Sequence, residues 1–438
     1  MQNCRMFGAR GFGAVSDHFG FEKLVVKNCE VEELFDLELI IGGSNQEPVS
    51  IEITTLLCLS HLPDLKCIWK GPPNLISWIH LGDIEVGNCA SLKKSLFTQS
   101  IAQKLSGLRT LYVYNCEELE YIVGPKDYSL QDEEQSCSFS DTCLSLLRKI
   151  KVEDCGSLKF VFPLSVAQGL PSLEEITING ACRLEQVIGD DRTNERATDK
   201  EILFPQLRIL KLQDLPCLRR MVPAGYSLSS SSVVKVKEVF IKNCSIEELF
   251  DLREEIDTLS HEKRQQMSHS STGAHTGLLN LQKIEVEECS NLRTLFNTIV
   301  AGALPKLNLI TIKNCQNLET ILAMGDGHSA HDYDLVERTC MPELRQIYIE
   351  GCHKLKSVFP LSVGQKLTQL TSCRIIDCPI LGEHLTPIKE STGNIATPTK
   401  GSTGNLTTYI FLILVLIFCI FLLYLAPRFL DSLLKSCT

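Results

Sequence analysis

The stretch LRTLYVYNCEEL, residues 108–119, contains the pattern that decides the fold of this chain. Two apolar residues, Leu111 and Val113, flank one variable residue, and Cys116 follows three positions later. In most copies an apolar residue also stands three positions before this triplet, and a leucine stands six positions after it. The phrase occurs twelve times when two copies with a leucine in the cysteine position, Leu62 and Leu215, and one copy with a late cysteine, Cys182, are included. The first apolar positions of the copies are Leu24, Leu57, Ile84, Leu111, Ile150, Ile176, Leu210, Val239, Ile284, Ile310, Ile347 and Cys373.

The alternation of apolar and variable residues in each copy predicts a short strand with one apolar face. Such a strand cannot bury its apolar face alone, so neighbouring copies are expected to stack into a parallel sheet over a continuous core. The phrase resembles the leucine-rich-repeat pattern. The sequence therefore predicts an α/β leucine-rich-repeat solenoid over residues 21–382, a horseshoe with its parallel β-sheet on the concave face. Residues 1–20 form a poorly patterned N-terminal lead-in.

Ten of the twenty cysteines follow the predicted strands at nearly the same position in each copy. We interpret them as a structural row of small apolar side chains whose thiols donate to backbone carbonyls of the adjacent coil. Stacked strands lie ~4.8 Å apart, so disulfides are not excluded by distance, but an intact row of thiols favours a reducing compartment. The row comprises Cys29, Cys89, Cys116, Cys155, Cys182, Cys244, Cys289, Cys315, Cys352 and Cys378, with Cys182 one residue late.

The C-terminal part of the chain predicts a membrane anchor. Residues 383–405 are rich in Ser, Thr and Gly and are expected to form a flexible linker. Residues 406–426 contain no charge, and as a helix they would span ~31 Å, about one hydrocarbon core. A tail of residues 427–438 follows. The first twenty residues contain no signal-peptide pattern, which favours a single-pass, tail-anchored protein in the endoplasmic reticulum or plasma membrane, with its repeats in the cytosol.

The variable positions of the strands form the candidate binding surface. Aromatic and cationic side chains in a field of mixed charge are typical anchors for protein partners. The candidate partner-binding residues are Tyr112, Tyr114, Lys151, Lys211, Phe240, Lys242, Glu285, Tyr348 and Arg374.

Catalytic and metal sites are not predicted. Cys352 adjoins His353, but the cysteine occupies a core position, so the two side chains are expected to point apart. Cys340 lies outside the repeat pattern. His328 and His331 lie in a polar insertion that does not supply fixed metal ligands at consistent spacing. The formal charge of −10 argues weakly against nucleic acid, and we expect no cofactor and no enzymatic activity.

Several phrases carry a family resemblance. LPDLKCIWKG at 62–71, FPQLRILKL at 204–212 and CEELEYIV at 116–123 resemble the C-terminal repeats of plant coiled-coil, nucleotide-binding disease-resistance proteins. The resemblance covers residues 21–382. It implies recognition of pathogen effectors or modified host proteins, and control of a nucleotide-binding module. No G-x-x-x-x-G-K-[ST] phosphate loop occurs in these 438 residues, so we expect no nucleotide binding.

The sequence thus predicts a non-enzymatic, membrane-anchored recognition protein of plant defence. Its protein ligand is expected to be a pathogen effector, a host target or an immune receptor. One alternative is a host scaffold or decoy that regulates full-length immune receptors. Another is an extracellular receptor-like protein, which would carry a glycan at Asn243 and paired cysteines.

Overall fold

The structure is a computed structural model of the chain. It divides into two compact units, Met1–Gly393 and Asn394–Thr438, and all described residues belong to the first. The described residues are 19–36, 51–70, 78, 80–125, 143–190, 201–202, 204–223, 227–228, 235–247, 278–296, 304–322, 341–359, 361–364 and 367–383.

The twelve copies of the phrase form one twelve-stranded parallel sheet, here called the main sheet. This confirms the predicted leucine-rich-repeat fold. Its strands follow one another in chain order, so each repeat adds one strand beside the previous one. They are Phe19–Lys27, Ile51–Ser60, Asp83–Gly87, Thr110–Tyr114, Lys149–Glu153, Glu175–Asn179, Ile209–Leu215, Glu238–Cys244, Lys283–Glu287, Leu309–Lys313, Gln346–Glu350 and Ser372–Ile376.

One face of the main sheet is buried and the opposite face carries polar side chains. Leu111 and Val113 are fully buried, whereas Tyr112 and Tyr114 between and after them are half-buried on the other face. Leu111 pairs in register with Ile150 of the next strand, and the same register continues along the sheet. The apolar positions therefore stack into one continuous core, as strand alternation requires.

A row of left-handed residues marks the carboxyl ends of the main strands, and we call it the turn row. Each member has a φ between 49° and 68°, a region that Asn, Asp and Gly tolerate best. The backbone N–H of Asn115 donates to the Glu153 carbonyl at 2.9 Å, so the sheet hydrogen bonds extend into the turn. The turn row comprises Asn28, His61, Asn88, Asn115, Asp154, Gly180, Asp214, Asn243, Glu288, Asn314, Gly351 and Asp377.

The segments that return from one main strand to the next differ from the α/β expectation, because short parallel strands outnumber helices among the described residues. Paired strands are Glu33–Asp36 with Cys67–Lys70, Lys94–Phe97 with Leu119–Val123, Phe162–Pro163 with Ile188–Gly189, Glu201–Ile202 with Ser227–Leu228, and Thr294–Phe296 with Thr320–Leu322. The helices in the described part of the chain span Gln99–Lys104, Leu164–Ala167 and Leu361–Gly364, and a 3₁₀ turn spans Ile380–Glu383.

The physical reason is a second apolar signal that follows the repeat leucine. Leu158 is followed three residues later by the buried pair Val161 and Phe162, and equivalent buried pairs recur in other repeats. β-Branched and aromatic residues favour extended backbone, and stacking places these segments within hydrogen-bonding distance of each other. The N–H of Val161 donates to the Val187 carbonyl at 2.9 Å.

Most of the polar insertions, the linker at 383–405 and the apolar run at 406–426 lie outside the described residues. Within the described ranges, no helix has the length and apolar character needed to cross a bilayer. The predicted span is therefore neither confirmed nor contradicted.

Candidate recognition surface

The nine candidate binding residues all lie on the exposed face of the main sheet. Seven belong to a central row, the variable residue of each triplet, and Tyr114 and Lys242 belong to an outer row two residues later. Strand register pairs Tyr112 with Lys151, and Lys211 with Phe240. The sheet thus divides the candidates into neighbouring groups. Arg374 is exposed, and the other eight are half-buried.

The first group is a tyrosine cluster of Tyr112, Tyr114, Lys151, Glu153 and Glu85. The Tyr112 hydroxyl donates to Glu153 Oε2 at 2.5 Å, and Lys151 Nζ lies 3.0 Å from Glu153 Oε1. The same ammonium lies 4.5 Å from the centroid of the Tyr112 ring. The Tyr112 and Tyr114 ring centroids are 4.8 Å apart. Each side chain is therefore fixed by at least one neighbour in the cluster.

The electrostatics of the cluster follow from these contacts. The hydrogen bond to Glu153 raises the pKa of Tyr112 to about 12, because ionisation would place two anions side by side. Burial opposes ionisation of Glu153, but the hydrogen bonds from Tyr112 and Lys151 outweigh it and lower the pKa of this carboxyl. At pH 7 the cluster thus presents neutral phenols and an ionised Glu153 carboxylate whose charge is paired with the Lys151 ammonium.

Tyr114 lies flat against the sheet because the neighbouring strand carries Gly87 at this position. A Cβ on Gly87 would overlap the Tyr114 ring. The Tyr114 hydroxyl reaches back to Glu85 Oε1 at 3.4 Å. Close approach of the ring to the backbone is thus what Gly87 permits, and it holds Tyr114 over the sheet.

A second group, the glutamate cluster, is centred on Glu287. Its carboxylate lies 2.7 Å from Lys313 Nζ and 3.5 Å from Lys242 Nζ. The Lys313 ammonium lowers the pKa of Glu287, and Glu287 raises the pKa of Lys313. Beside it, the Tyr348 hydroxyl donates to Glu350 Oε2 at 2.5 Å, which raises the pKa of Tyr348. Charges in this cluster are largely balanced internally.

Lys211 and Phe240 lie between the two clusters, near the middle of the main sheet. In the central row, register places Thr177 on one side of Lys211 and Phe240 on the other. Lys211 makes no ion pair with any residue in the described part of the chain. Glu285, next to Phe240, pairs with Lys283 at 3.1 Å. Tyr348 and Arg374 are direct partners on the last two strands.

The structural cysteine row lies beneath the turns. Eight of its ten members are buried, Cys378 is half-buried and Cys182 is exposed. Thiols donate to the carbonyl two residues earlier, as Cys244 does to Lys242 at 3.2 Å. Burial raises the pKa of Cys244 and Cys289 to about 12. Nine members of the row, from Cys89 to Cys378, are free thiols.

Placing Cys182 in the core row is wrong. Its repeat is one residue offset, and the buried slot is filled by Ala181, which is fully inaccessible. Cys182 therefore faces solvent. Cys352 is buried while His353 is exposed and contacts Gln316, so the two diverge as expected. Within the described ranges, no group of three or more His, Cys, Asp or Glu side chains is arranged to hold a metal ion.

The glutamates that organise both clusters were missed as site residues. Glu153 and Glu287 each occupy the outer row one strand away from a tyrosine or lysine. The signal was present, because outward positions of consecutive repeats become cross-strand neighbours once the register is known.

Comparisons with known proteins agree with this architecture. The family model described as plant disease resistance protein RPS2-like leucine-rich repeats matches residues 19–117, 127–255 and 330–379, together more than half of the chain. No curated protein matches.

Two solved proteins have weak similarity to this chain. The leucine-rich repeat domain of the type III effector XopL has 17% identity and a TM-score of 0.36, covering 64% of this chain and 76% of that one. TLR13, solved in complex with ssRNA13, has 11% identity and a TM-score of 0.29, covering 82% of this chain and 63% of that one.

Proposed function

Because this chain belongs to the RPS2-like leucine-rich repeats of plant disease-resistance proteins, we propose that it is a protein-recognition module of plant defence. The exposed face of the main sheet is the binding surface. One observation carries this assignment: the tyrosine cluster presents aromatic and charged groups in a fixed arrangement on a rigid sheet. Side chains ordered before binding lose less conformational entropy when a partner docks.

Recognition without catalysis agrees with the chemistry of the described residues. The buried Cys244 and Cys289 are held as thiols by their raised pKa and lie beneath the turns, away from the exposed face. The tyrosines of the face are stabilised in their neutral form. Nucleophilic catalysis needs a nucleophile whose neighbours activate it, and these neighbours do the opposite.

The ligand proposed is a protein: a pathogen effector, a host target or an immune receptor. The test is co-purification of the full chain from leaf cells with a panel of pathogen effectors and host proteins, comparing wild type with Y112A/Y114A/K151A. The matched control is E32A/K66A, which removes an exposed ion pair on a return segment. Loss of a specific partner in the face variant alone would support the proposal. Binding that survives substitutions throughout both clusters would contradict it.

The second candidate is a host scaffold or decoy that regulates full-length immune receptors. A binding surface whose charges are already balanced suits a constitutive host partner, and both clusters contain such internal pairs. The same experiment separates the two. A scaffold retains a host receptor and no effector, whereas an effector sensor retains an effector directly.

We also propose that the apolar run at 406–426 anchors the chain in a membrane with the repeats on the cytosolic side. The free cysteine thiols favour a reducing compartment. Asn243, the glycan acceptor required by the extracellular alternative, donates through Nδ2 to Asp214 Oδ1 at 2.9 Å in the turn row. Attachment of a glycan would replace one of the two hydrogens of that nitrogen and place a sugar beside Asp214.

Protease protection of intact membranes, with a glycosidase mobility shift, tests this topology. Protease-accessible, unglycosylated repeats in the membrane fraction are expected. Repeats that are protected and shift on deglycosylation would establish the extracellular alternative. Recovery of the chain only in the soluble fraction would contradict the proposed membrane anchor.

A further inference from the structure

A row of residues lies immediately before the amino ends of the main strands, whereas the turn row lies at their carboxyl ends. We call it the basic row. Its backbone is continuous, because each member after Gly82 donates its N–H to the carbonyl of the previous one at 2.7–3.0 Å. Five members are basic and one is acidic. The row comprises Gly82, Arg109, Arg148, Glu174, Arg208, Lys237, Gln282, Asn308, Arg345 and Thr371.

The cations of this row are available for a partner. The four arginine side chains are exposed, and Lys237 is half-buried. Arg148 contacts Glu174 only loosely, with Nε 3.9 Å from Oε1. Arg109, Arg208 and Lys237 make no ion pair with residues that the structure describes.

Acidic residues lie at the carboxyl ends of the main strands. The turn row contains four acidic residues, Asp154, Asp214, Glu288 and Asp377, and no Lys or Arg. Between the two rows, several charges of the face are paired with each other, as Lys151 is with Glu153 and Lys283 is with Glu285. The face is therefore electrostatically polar along the strand direction, basic where the strands begin and acidic where they end.

From these observations we propose that the basic row docks an acidic, extended segment of the partner protein, which fixes the partner's orientation on the sheet. This deepens and rests on the proposed recognition function. Arg109 to Lys237 covers four strand spacings, roughly 19 Å, the length of about six extended residues. Arginine forks bind carboxylates with two parallel hydrogen bonds, so spaced arginines suit a run of Asp and Glu.

A protein segment fits this surface better than nucleic acid or lipid. A nucleic acid lying across the sheet would bring its phosphates against the acidic turn row, and the whole chain carries a formal charge of −10. A flat anionic membrane surface would meet the same carboxylates. A partner with one acidic strip meets the basic row, in which Glu174 is the one acidic member, and avoids the turn row; such charge complementarity steers association.

The test uses the full chain in detergent and a fluorescein-labelled octaglutamate peptide, followed by fluorescence anisotropy at low salt. The variant is R109E/R148E/R208E. The matched control, K93E/K159E/K356E, makes the same change in net charge on the return segments, where each lysine is exposed. We expect an affinity loss of about tenfold or more in the variant, less than about twofold in the control, and steep weakening with added salt.

An R109Q/R148Q/R208Q variant replaces the reversal if the latter does not fold, and it should lose affinity by a smaller factor. Equal loss in variant and control would overturn the proposal, because net charge alone would then explain binding. The proposal would also be overturned if the arginine substitutions left octaglutamate binding unchanged and weakened only the binding of vesicles containing 30% phosphatidylserine or of a twelve-nucleotide DNA strand. If the arginine substitutions do not weaken octaglutamate binding while a natural partner still requires the tyrosine cluster, the recognition function stands and the basic-row proposal fails.

Discussion

Tyr112 and Glu153 lie on adjacent main strands, and the Tyr112 hydroxyl donates a 2.5 Å hydrogen bond to the Glu153 carboxylate. The bond joins residues 41 positions apart in the chain, across a polar insertion. Lys151 neutralises the same carboxylate from the other side at 3.0 Å. A phenol, a carboxylate and an ammonium are thereby held in contact with one another on the exposed face.

The first prediction concerns the ionisation of Tyr112. Its pKa of about 12 exceeds the ordinary value of about 10, so the hydrogen bond stabilises the fold in full below pH ~10, and this stabilisation is lost as pH rises through ~12. Following the tyrosine ¹³Cζ resonances with pH should show one group titrating near 12, which is absent in Y112F. In E153Q that group should titrate closer to 10. An unchanged titration in E153Q would show that Glu153 is not the cause.

The second prediction concerns Gly180, which occupies the turn row with a φ of 68°. A Cβ there would overlap the Asp154 side chain, so G180A combines backbone strain with a clash. We expect G180A to lower the free energy of unfolding by about 1–3 kcal/mol, measured by denaturant titration. D154G, which removes the clashing side chain and still tolerates the left-handed backbone at this position, should recover the part due to the clash.

Gly156 is the matched control, because a Cβ there meets nothing within 4 Å and its φ is not in the left-handed region. G156A should change stability by less than about 0.5 kcal/mol. Equal effects of the two substitutions would mean that the turn row does not require special backbone conformations.

The third prediction separates the cysteines by reactivity. Cys182 and Cys217 are exposed, whereas Cys244 and Cys289 are buried with a pKa of about 12. Since the thiolate is the reactive form, brief treatment of the native chain with iodoacetamide should modify Cys182 and Cys217 and leave the other two intact. Peptide mass spectrometry reads out each site. Modification of Cys244 as fast as Cys182 would refute its placement in the core, and labelling in guanidinium provides the full-reaction control.

The fourth prediction is a pH dependence arising from Glu287. Its pKa is lowered by Lys313, so the pair stabilises the fold above the ordinary carboxyl pKa of about 4.3, and this stabilisation is lost as pH falls through the lower folded value. Wild type should therefore lose more stability than E287Q between pH 6 and pH 3, by urea titration. E319Q is the control, since its partner Lys356 is exposed and their pair contributes little. Identical acid profiles for wild type and E287Q would argue against the pair.

Much of the fold was predictable because the repeat pattern is both local and repeated. Leu111 and Val113 identify a strand face by alternation, and eleven further copies fix the stacking partner of every strand. The turn row could also have been predicted, because Asn, Asp or Gly precedes the cysteine position in ten of twelve copies. The predictions from sequence did not include it. The apolar pairs that follow the repeat leucine, such as Val161 and Phe162, also indicate the short strands of the return segments.

The recognition surface was less predictable. Tyr112, Tyr114 and Lys151 were expected on one face, but their grouping with Glu153 depends on which repeats are neighbours and in which register. Cys182 shows the limit in the other direction, because a one-residue offset exchanged a buried position for an exposed one and left Ala181 in the core.

The sequence alone determined the repeat, the number of main strands and the residues that face the core, because burial of apolar side chains at period two depends on local pattern. Only the tertiary structure decided which polar groups meet. Stacking brings residues 26 or more positions apart, such as Lys313 and Glu287, into contact, and it lines up the basic row and the turn row on opposite edges. Electrostatic contacts depend on distance through space, which a chain pattern does not contain until its register is set.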